Sequence, residues 1–339
     1  DRVLPGYVRD VMPEIRALAR DAVWFERCYT PHPSTGYALP ALFTGLQTRW
    51  ARDLMASQYA NIPRDRSLLQ TELVERGYLA TGIYGHFIAG HRHAMTRGMQ
   101  RIRLRREAVS SARVADDAID AIERAQKANK SRFLYAHFYE PHWEYAQYGP
   151  SIAPWGNARH VDRYDGELRN ADLAIGRILK ALRDQDLFDR TLLIVVADHG
   201  QEFGEHGGRF HGETLYEEVL RVPCLIRAPG LEPRRVEQPV SLTGLGPSLG
   251  ALMGLPIPGV GLLDGDLPVV AGTPYDGELR RAVVRPHAKL IHDVRNGGRM
   301  LFDLAHDAGE VHNLYGSSTA LTEQLEADYQ RWLDRPGAR

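Results

Sequence analysis

Thr191-Leu-Leu-Ile-Val-Val-Ala-Asp198-His199-Gly200 is an apolar, β-branched run of strand length that ends in Asp-His-Gly. Without polar alternation, such a run reads as a strand buried on both faces, the pattern of a parallel sheet. Ligands of such sheets sit just beyond the carboxyl ends of the strands. Asp198 and His199 would stand at that end. A carboxylate beside an imidazole can hold a divalent cation. The same residues also read as a helix N-cap Asp followed by a surface His.

Downstream the chain continues Gln201-Glu-Phe-Gly-Glu-His206-Gly-Gly-Arg-Phe-His211-Gly-Glu-Thr-Leu-Tyr216-Glu-Glu-Val-Leu-Arg221-Val-Pro223-Cys-Leu-Ile-Arg-Ala-Pro-Gly230. Three histidines fall within 13 positions, counting from His199, in a glycine-rich stretch. A helix over Glu213 to Leu220 and a strand over Val222 to Ile226 are expected next. The whole stretch resembles the sulfatase branch of the alkaline phosphatase superfamily. There a strand leads to Asp-His-Gly, a Gly-Glu-His-Gly loop, Leu-Tyr-Glu-Glu, then Arg-Val-Pro and a second strand. The resemblance implies a metal-dependent hydrolase or transferase acting on sulfate or phosphate esters.

Further out, helical and strand patterns alternate. Helices are expected at Pro13 to Ala22, Ala38 to Leu46, Ser67 to Glu75, around Val114 to Ala125, and from Leu168 to Leu182. Strands are expected at Val23 to Tyr29, Leu79 to Tyr84 and Phe133 to Phe138. Such alternation means an α/β sandwich with a largely parallel central sheet. The resemblance makes it alkaline-phosphatase-like, with a small C-terminal α+β subdomain. Leu255 to Pro274, rich in Pro and Gly, reads as the boundary. The expected division is a catalytic domain over 1–265 and a C-terminal subdomain over 266–339. The latter holds strands at Arg281 to Val284, Lys289 to Asp293 and Met300 to Asp303, and a helix from Leu321 to Leu333.

A formal net charge of −1 gives no general electrostatic case for nucleic acid or an anionic membrane. No run of about 18 apolar residues exists to span a bilayer. Lysine stands only at 127, 130, 180 and 289, so 38 of the 42 basic residues are arginine. That reads as coding bias more than function, although arginine suits oxyanions. Cys28 and Cys224 lie in apolar, strand-like contexts and read as buried thiols. In the resembled family a first strand, ending in acidic metal ligands, precedes a segment like Asp1 to Tyr7. The expectation is that the chain is a fragment lacking those ligands. No signal peptide is visible; the resemblance suggests a periplasmic, extracellular or membrane-anchored setting.

Tyr29-Thr-Pro-His-Pro-Ser34-Thr35-Gly-Tyr-Ala-Leu-Pro-Ala-Leu-Phe-Thr44-Gly45 resembles the family's nucleophile segment. In common sulfatases a Cys in Cys-x-Pro-x-Arg becomes formylglycine. Counting back from Thr44-Gly45, that Cys falls on Thr35, while the Pro and Arg positions hold Tyr37 and Leu39. Thr35 is similar instead to the Thr nucleophile of lipoteichoic acid synthases and phosphoethanolamine transferases, with Ser34 in reserve. Both hydroxyls also read as caps of the following helix.

Phe133-Leu-Tyr-Ala-His137-Phe-Tyr-Glu-Pro141-His142 resembles the family segment whose His after Pro meets the ester's oxyanion or leaving group. It also reads as an aromatic turn with a packed His. His211 lies where relatives carry a Lys or His that neutralises ester oxygens. His206 reads as a brace for its loop, His137 as core, His86, His91 and His93 as solvated, and Glu202 and Glu205 as loop charges. The implied site has Thr35, His142 and His211 as catalytic residues. Asp198, His199 and Thr35 would hold one divalent metal ion (Mn, Mg, Ca or Zn). The implied substrate is a small-molecule, glycan-linked or lipid-linked phosphate or sulfate ester. Thr in place of formylglycine favours phosphorus. A phosphoethanolamine- or phosphoglycerol-type transferase and a non-catalytic binding protein are the other classes.

Overall fold

Leu79–Tyr84 pairs in parallel with Arg101–Leu104 on one side and Arg132–His137 on the other. Two amphipathic helices cover this sheet. Ser111–Lys127 turns Val114 and Ala118 onto Ile83, and His160–Asp184 adds Ile178 to the same cluster. Further along, Leu179 and Leu182 pack with Leu18, Ile122 and Phe188, against Leu134, Leu193 and Val195. The computed structural model describes residues 7–45, 67–86, 95–105, 107–264, 268–273, 280–294 and 296–334. The chain divides into two compact units. The first is built from 1–24, 68–195 and 225–235, the second from 25–67, 196–224 and 236–339.

In the first unit Leu193–Val196 ends a four-stranded sheet, beside Cys224–Arg227, which pairs antiparallel with Val23–Phe25. With a neighbour on one side only among the described residues, Leu193–Val196 is half-buried, not buried on both faces as its composition suggests. The expected strand over Val23 to Tyr29 is two strands, Val23–Phe25 and Cys28–Tyr29, broken by a turn. The N-terminal helix Pro13–Leu18 begins at a proline, where no N–H is needed. Its next two N–H groups, of Glu14 and Ile15, donate to Asp172 at 3.0 and 2.9 Å. Arg9 spans Asp162 and Asp165 at 2.7 Å each, and the Tyr7 hydroxyl donates to Asp165.

The second unit holds an antiparallel sheet of Val269–Thr273, Arg280–Arg285, Ala288–Asp293 and Arg299–Asp303. Its first strand lies inside the stretch that the sequence marks as a Pro- and Gly-rich boundary. Side-chain alternation divides this sheet cleanly. Val270, Val283, Leu290 and Leu301 meet Leu325 and Trp332 of the helix Thr319–Leu333. Val269, Ala282, Val284, Ile291 and Phe302 turn the other way, onto Tyr29, Leu215 and Leu220. Lys289 shares that second face and is fully buried. Its ammonium meets Glu217 and Glu310 at 2.9 Å each and donates to Leu215 O at 3.0 Å. Both rims of the sheet are occupied. Gly272 donates its N–H to Pro31 O. On the other rim, Leu301 N–H donates to Asn313 Oδ1, Asn313 Nδ2 donates to Arg299 O, and Leu314 N–H donates to Leu301 O.

Candidate active site

Beyond Leu193–Val196 the chain passes through Ala197 to Asp198 and His199. His199 Nδ1 lies 2.9 Å from Gly200 O. A carbonyl only accepts, so Nδ1 carries the proton and Nε2 the lone pair. That Nε2 lies 3.0 Å from Thr35 Oγ1 and 3.7 Å from Asp198 Oδ2. The Thr35 hydroxyl therefore donates to His199. Behind them Gly200 N–H bonds Val219 O and Gln201 N–H bonds Glu218 O, each at 2.9 Å. A Cβ at position 200 would stand 2.1 Å from Glu218 O, so only glycine lets the two backbones approach this closely.

The helix carrying Thr35 runs Thr35–Thr44, three residues earlier than the pattern from Ala38 suggests. It starts early because Ser34 O accepts from the N–H groups of both Tyr37 and Ala38. Ser34 holds the N-cap position, yet its hydroxyl makes no cap bond. It lies 3.1 Å from His32 Nδ1 instead. His32, to which the sequence reading gave no role, is fully buried, and its Nε2 has no hydrogen-bond partner. Burial first, then the nearby His199 and His211, hold its pKa down at about 3. It is a neutral imidazole, with its ring 4.5 Å from that of Tyr37. A lone Pro-His-Pro ahead of the hydroxyls was the only signal for it.

The His211 ring lies 4.2 Å from that of His199. Its Nδ1 is 2.9 Å from the side-chain carbonyl of Gln201. Thr35, Asp198, His199 and His211 thus come together in the second unit. The helix expected over Glu213 to Leu220 is only Glu217–Leu220. His206 bonds Glu218 through Nδ1 at 2.5 Å and Gly309 O through Nε2 at 3.0 Å. Glu202 is not a loop charge: it is 2% exposed, and burial raises its pKa to about 7.

His142 belongs to the first unit. Its ring stacks on Tyr139 at 4.2 Å and its Nδ1 lies 2.5 Å from Trp143 O. Its backbone N–H donates to Glu167, whose other carboxylate oxygen accepts from Ala146 N–H. His86, in the same unit, packs on Tyr139 at 4.5 Å, its pKa lowered by burial and then by His142. His91 and His93 lie outside the described residues.

An α/β chain that places Asp-His-Gly at a strand end against a helix-borne hydroxyl has close relatives. The family model for sulfatases matches residues 1–255, and the chain belongs to that family. It is 28% identical over 219 residues to the ulvan-active sulfatase of Formosa agariphila, covering 57% of this chain and 42% of that protein. The chain thus spans less than half the length of that relative. Its fold is that of a 2-O GAG sulfatase, with TM-score 0.78 at 18% identity over 98% of this chain and 88% of that one. It is equally that of the phosphonate monoester hydrolase of Agrobacterium radiobacter, with TM-score 0.77 at 17% identity over 98% and 92%.

Sulfatases are generally metal-dependent, and the residues here suit a divalent cation. His199 Nδ1–H is fixed on a backbone carbonyl, which leaves Nε2 as the donor atom. Asp198 supplies oxygen beside it. The orphaned Nε2 of buried His32 is a further nitrogen with nothing to bind.

Proposed function

We propose that the protein is an ester hydrolase of the sulfatase family that uses Thr35 as nucleophile, with phosphorus esters favoured over sulfate esters. The observation that supports it most is the 3.0 Å bond from the Thr35 hydroxyl to His199 Nε2. Neither that hydroxyl nor Ser34's is spent on capping the helix. A hydroxyl 3.0 Å from an imidazole lone pair lets oxygen and nitrogen reach the same divalent ion, and the hydroxyl proton would leave to solvent as Thr35 attacks.

In the proposed reaction Thr35 Oγ forms a bond to phosphorus, and the bond from phosphorus to the departing alcohol oxygen breaks. The alcohol leaves with a proton from His142, a role that rests on the sequence pattern. His211 faces the growing charge on the ester oxygens. Water then attacks phosphorus and frees Thr35. The helix Thr35–Thr44 presents unpaired N–H groups at its start, and these favour the anionic ester. Asp198, His199 and Thr35 would hold one divalent ion: Mn, Mg, Ca or Zn. When bound it lowers the hydroxyl pKa and offsets ester charge.

Phosphorus is favoured because Tyr37 and Leu39 stand where a formylglycine signal would have Pro and Arg. The substrate class proposed is a small-molecule, glycan-linked or lipid-linked ester. Among the described residues no helix is long and apolar enough to cross a membrane.

The test is turnover of an activated phosphate ester and its sulfate counterpart by metal-loaded protein. Thr35→Ala should lose at least about a thousandfold in kcat, the scale expected when a nucleophile is removed, with circular dichroism unchanged. Thr35→Ser should retain measurable activity. Turnover by Thr35→Ala within about threefold of wild type would hand the role to Ser34 or to a bound water. Sulfate turnover well above phosphate turnover would reverse the substrate preference and leave the nucleophile standing.

A further inference from the structure

Glu202, His206 and Glu218 bring two carboxylate oxygens and one imidazole nitrogen within 4.8 Å of one another. The reading of Thr35, Asp198 and His199 uses none of these side chains. We propose that they form a second divalent-cation site, of the borderline kind that zinc fills, in the second unit.

The orientation of His206 carries the argument. Its Nε2 lies 3.0 Å from Gly309 O and 3.3 Å from Glu310 O. Carbonyls only accept, so the proton sits on Nε2 and Nδ1 is the available donor atom. Metal-binding histidines are held in this way by a carbonyl behind the ring. Face-to-face stacking on Tyr216, at 3.7 Å and 8°, fixes the ring plane. Nδ1 then points at Glu218 Oε1, 2.5 Å away. A lone pair and a carboxylate that close need a positive charge between them. A proton supplies one charge. A zinc ion at about 2.0–2.2 Å from each ligand supplies two, after the pair opens by about 1 Å.

Glu202 is the second, independent observation. It is 2% exposed, and its Oε1 is buried with no hydrogen-bond partner. Thr214 stands beside the carboxyl group, its own Oγ1 likewise buried without a partner. The loop closes over it so tightly that a Cβ at Gly208 would lie 2.2 Å from Oε2. A buried carboxylate oxygen in such a place calls for a cation or a proton.

Charge balance points the same way. Glu217 and Glu310 are already taken by Lys289. Among the described residues, His206 is the positive partner of both Glu202 and Glu218, and a divalent ion with a neutral imidazole balances both carboxylates. Imidazole with carboxylates is a donor set for zinc. Zinc would displace the bridging proton, so uptake releases protons to solvent.

The test uses the whole chain, stripped with a chelator and then dialysed against zinc alone. Bound zinc is counted by elemental analysis in wild type, Glu202→Gln, Glu218→Gln and the double variant Asp198→Asn/His199→Gln. The double variant should keep one zinc, with Kd within about threefold of that site in wild type. Glu202→Gln and Glu218→Gln should each weaken that site at least tenfold. X-ray absorption on the zinc of the double variant should show one imidazole and otherwise oxygen donors. A double variant without zinc would overturn the site, as would one whose zinc survives an added Glu202→Gln or carries two or more imidazoles. Should the glutamine variants fail to fold, the absorption spectrum decides alone. Retained esterase activity in the double variant would count against the proposed Thr35 chemistry and leave this site intact.

Discussion

Two charged clusters do opposite things with the same chemistry. In the first unit Arg9 reaches over Asp162 and Asp165 from the rim, its side chain 19% exposed. Arg159 reinforces Asp162, which its hydrogen bond holds well below the ordinary carboxylate range. Water can replace part of what the arginine provides. In the second unit Lys289 has no exposure at all, and neither does the side chain of Glu310. Burial pulls the lysine pKa down, and Glu217 and Glu310 outweigh it, so the ammonium stays charged. A pair at the rim is an attachment, and a pair with no access to water is an obligation. Removing one member of the buried set leaves a charge that nothing can hydrate.

The largest effect should follow from breaking the buried set. Lys289→Met is expected to lower unfolding free energy by about 3–5 kcal/mol in urea denaturation. Adding Glu217→Gln and Glu310→Gln should recover much of it, since the neutral trio has no charge to strand. A loss below about 1 kcal/mol for Lys289→Met would mean that water reaches the cluster, and the contrast would fail.

Arg9→Met should cost less, about 1–2 kcal/mol, because Arg159 and solvent still serve Asp162, and Tyr7 serves Asp165. The same urea titration at high salt should shrink that difference, while the Lys289 effect should persist.

Asp172 sharpens the contrast by pH. Burial raises its pKa to about 6, against the pull of its bonds to Glu14 and Ile15 N–H. Its folded pKa thus lies above its unfolded value of about 3.9. The folded state binds the extra proton, so this group's contribution to stability is full below pH ~4 and falls as pH climbs through about 6. Thermal midpoints from pH 4 to 7 should fall less steeply in Asp172→Asn than in wild type. An identical slope would place Asp172 in contact with water.

The smallest effect belongs to Lys180 and Asp184, an exposed helical pair at 2.6 Å. Lys180→Ala should shift unfolding free energy by no more than about 0.5 kcal/mol.

Much of this was legible in the sequence, for identifiable reasons. A 3.6-residue period announces Ser111–Lys127, which buries one face, while Leu79–Tyr84 and Ala288–Asp293 read as short apolar runs and are mostly buried on both faces. Thr35 and His199 could be named because their neighbours stand in a family's order, and the structure brings their side chains together. What escaped is what local pattern does not encode. Val269–Thr273 hides in a stretch read as a boundary, since Pro and Gly outweigh five residues of strand. The early start of the Thr35 helix depends on a carbonyl, which has no residue signature. The burial of Glu202 is set by its own loop closing at Gly208, and that of His32 involves His199 and His211, far along the chain. No spacing rule reports that.

The rim of the C-terminal sheet has a consequence for behaviour at high concentration. An open edge strand is a template on which another chain can add itself, copy upon copy. Asn313 closes that template with both ends of one amide, and Leu314 adds a backbone bond beside it. Pro31 performs the same service at Gly272. The sheet has two strand faces already filled and two borders already signed for. In this sheet a few short segments deny a neighbour a place to begin, an addition that a surface charge netting to −1 would do little to prevent.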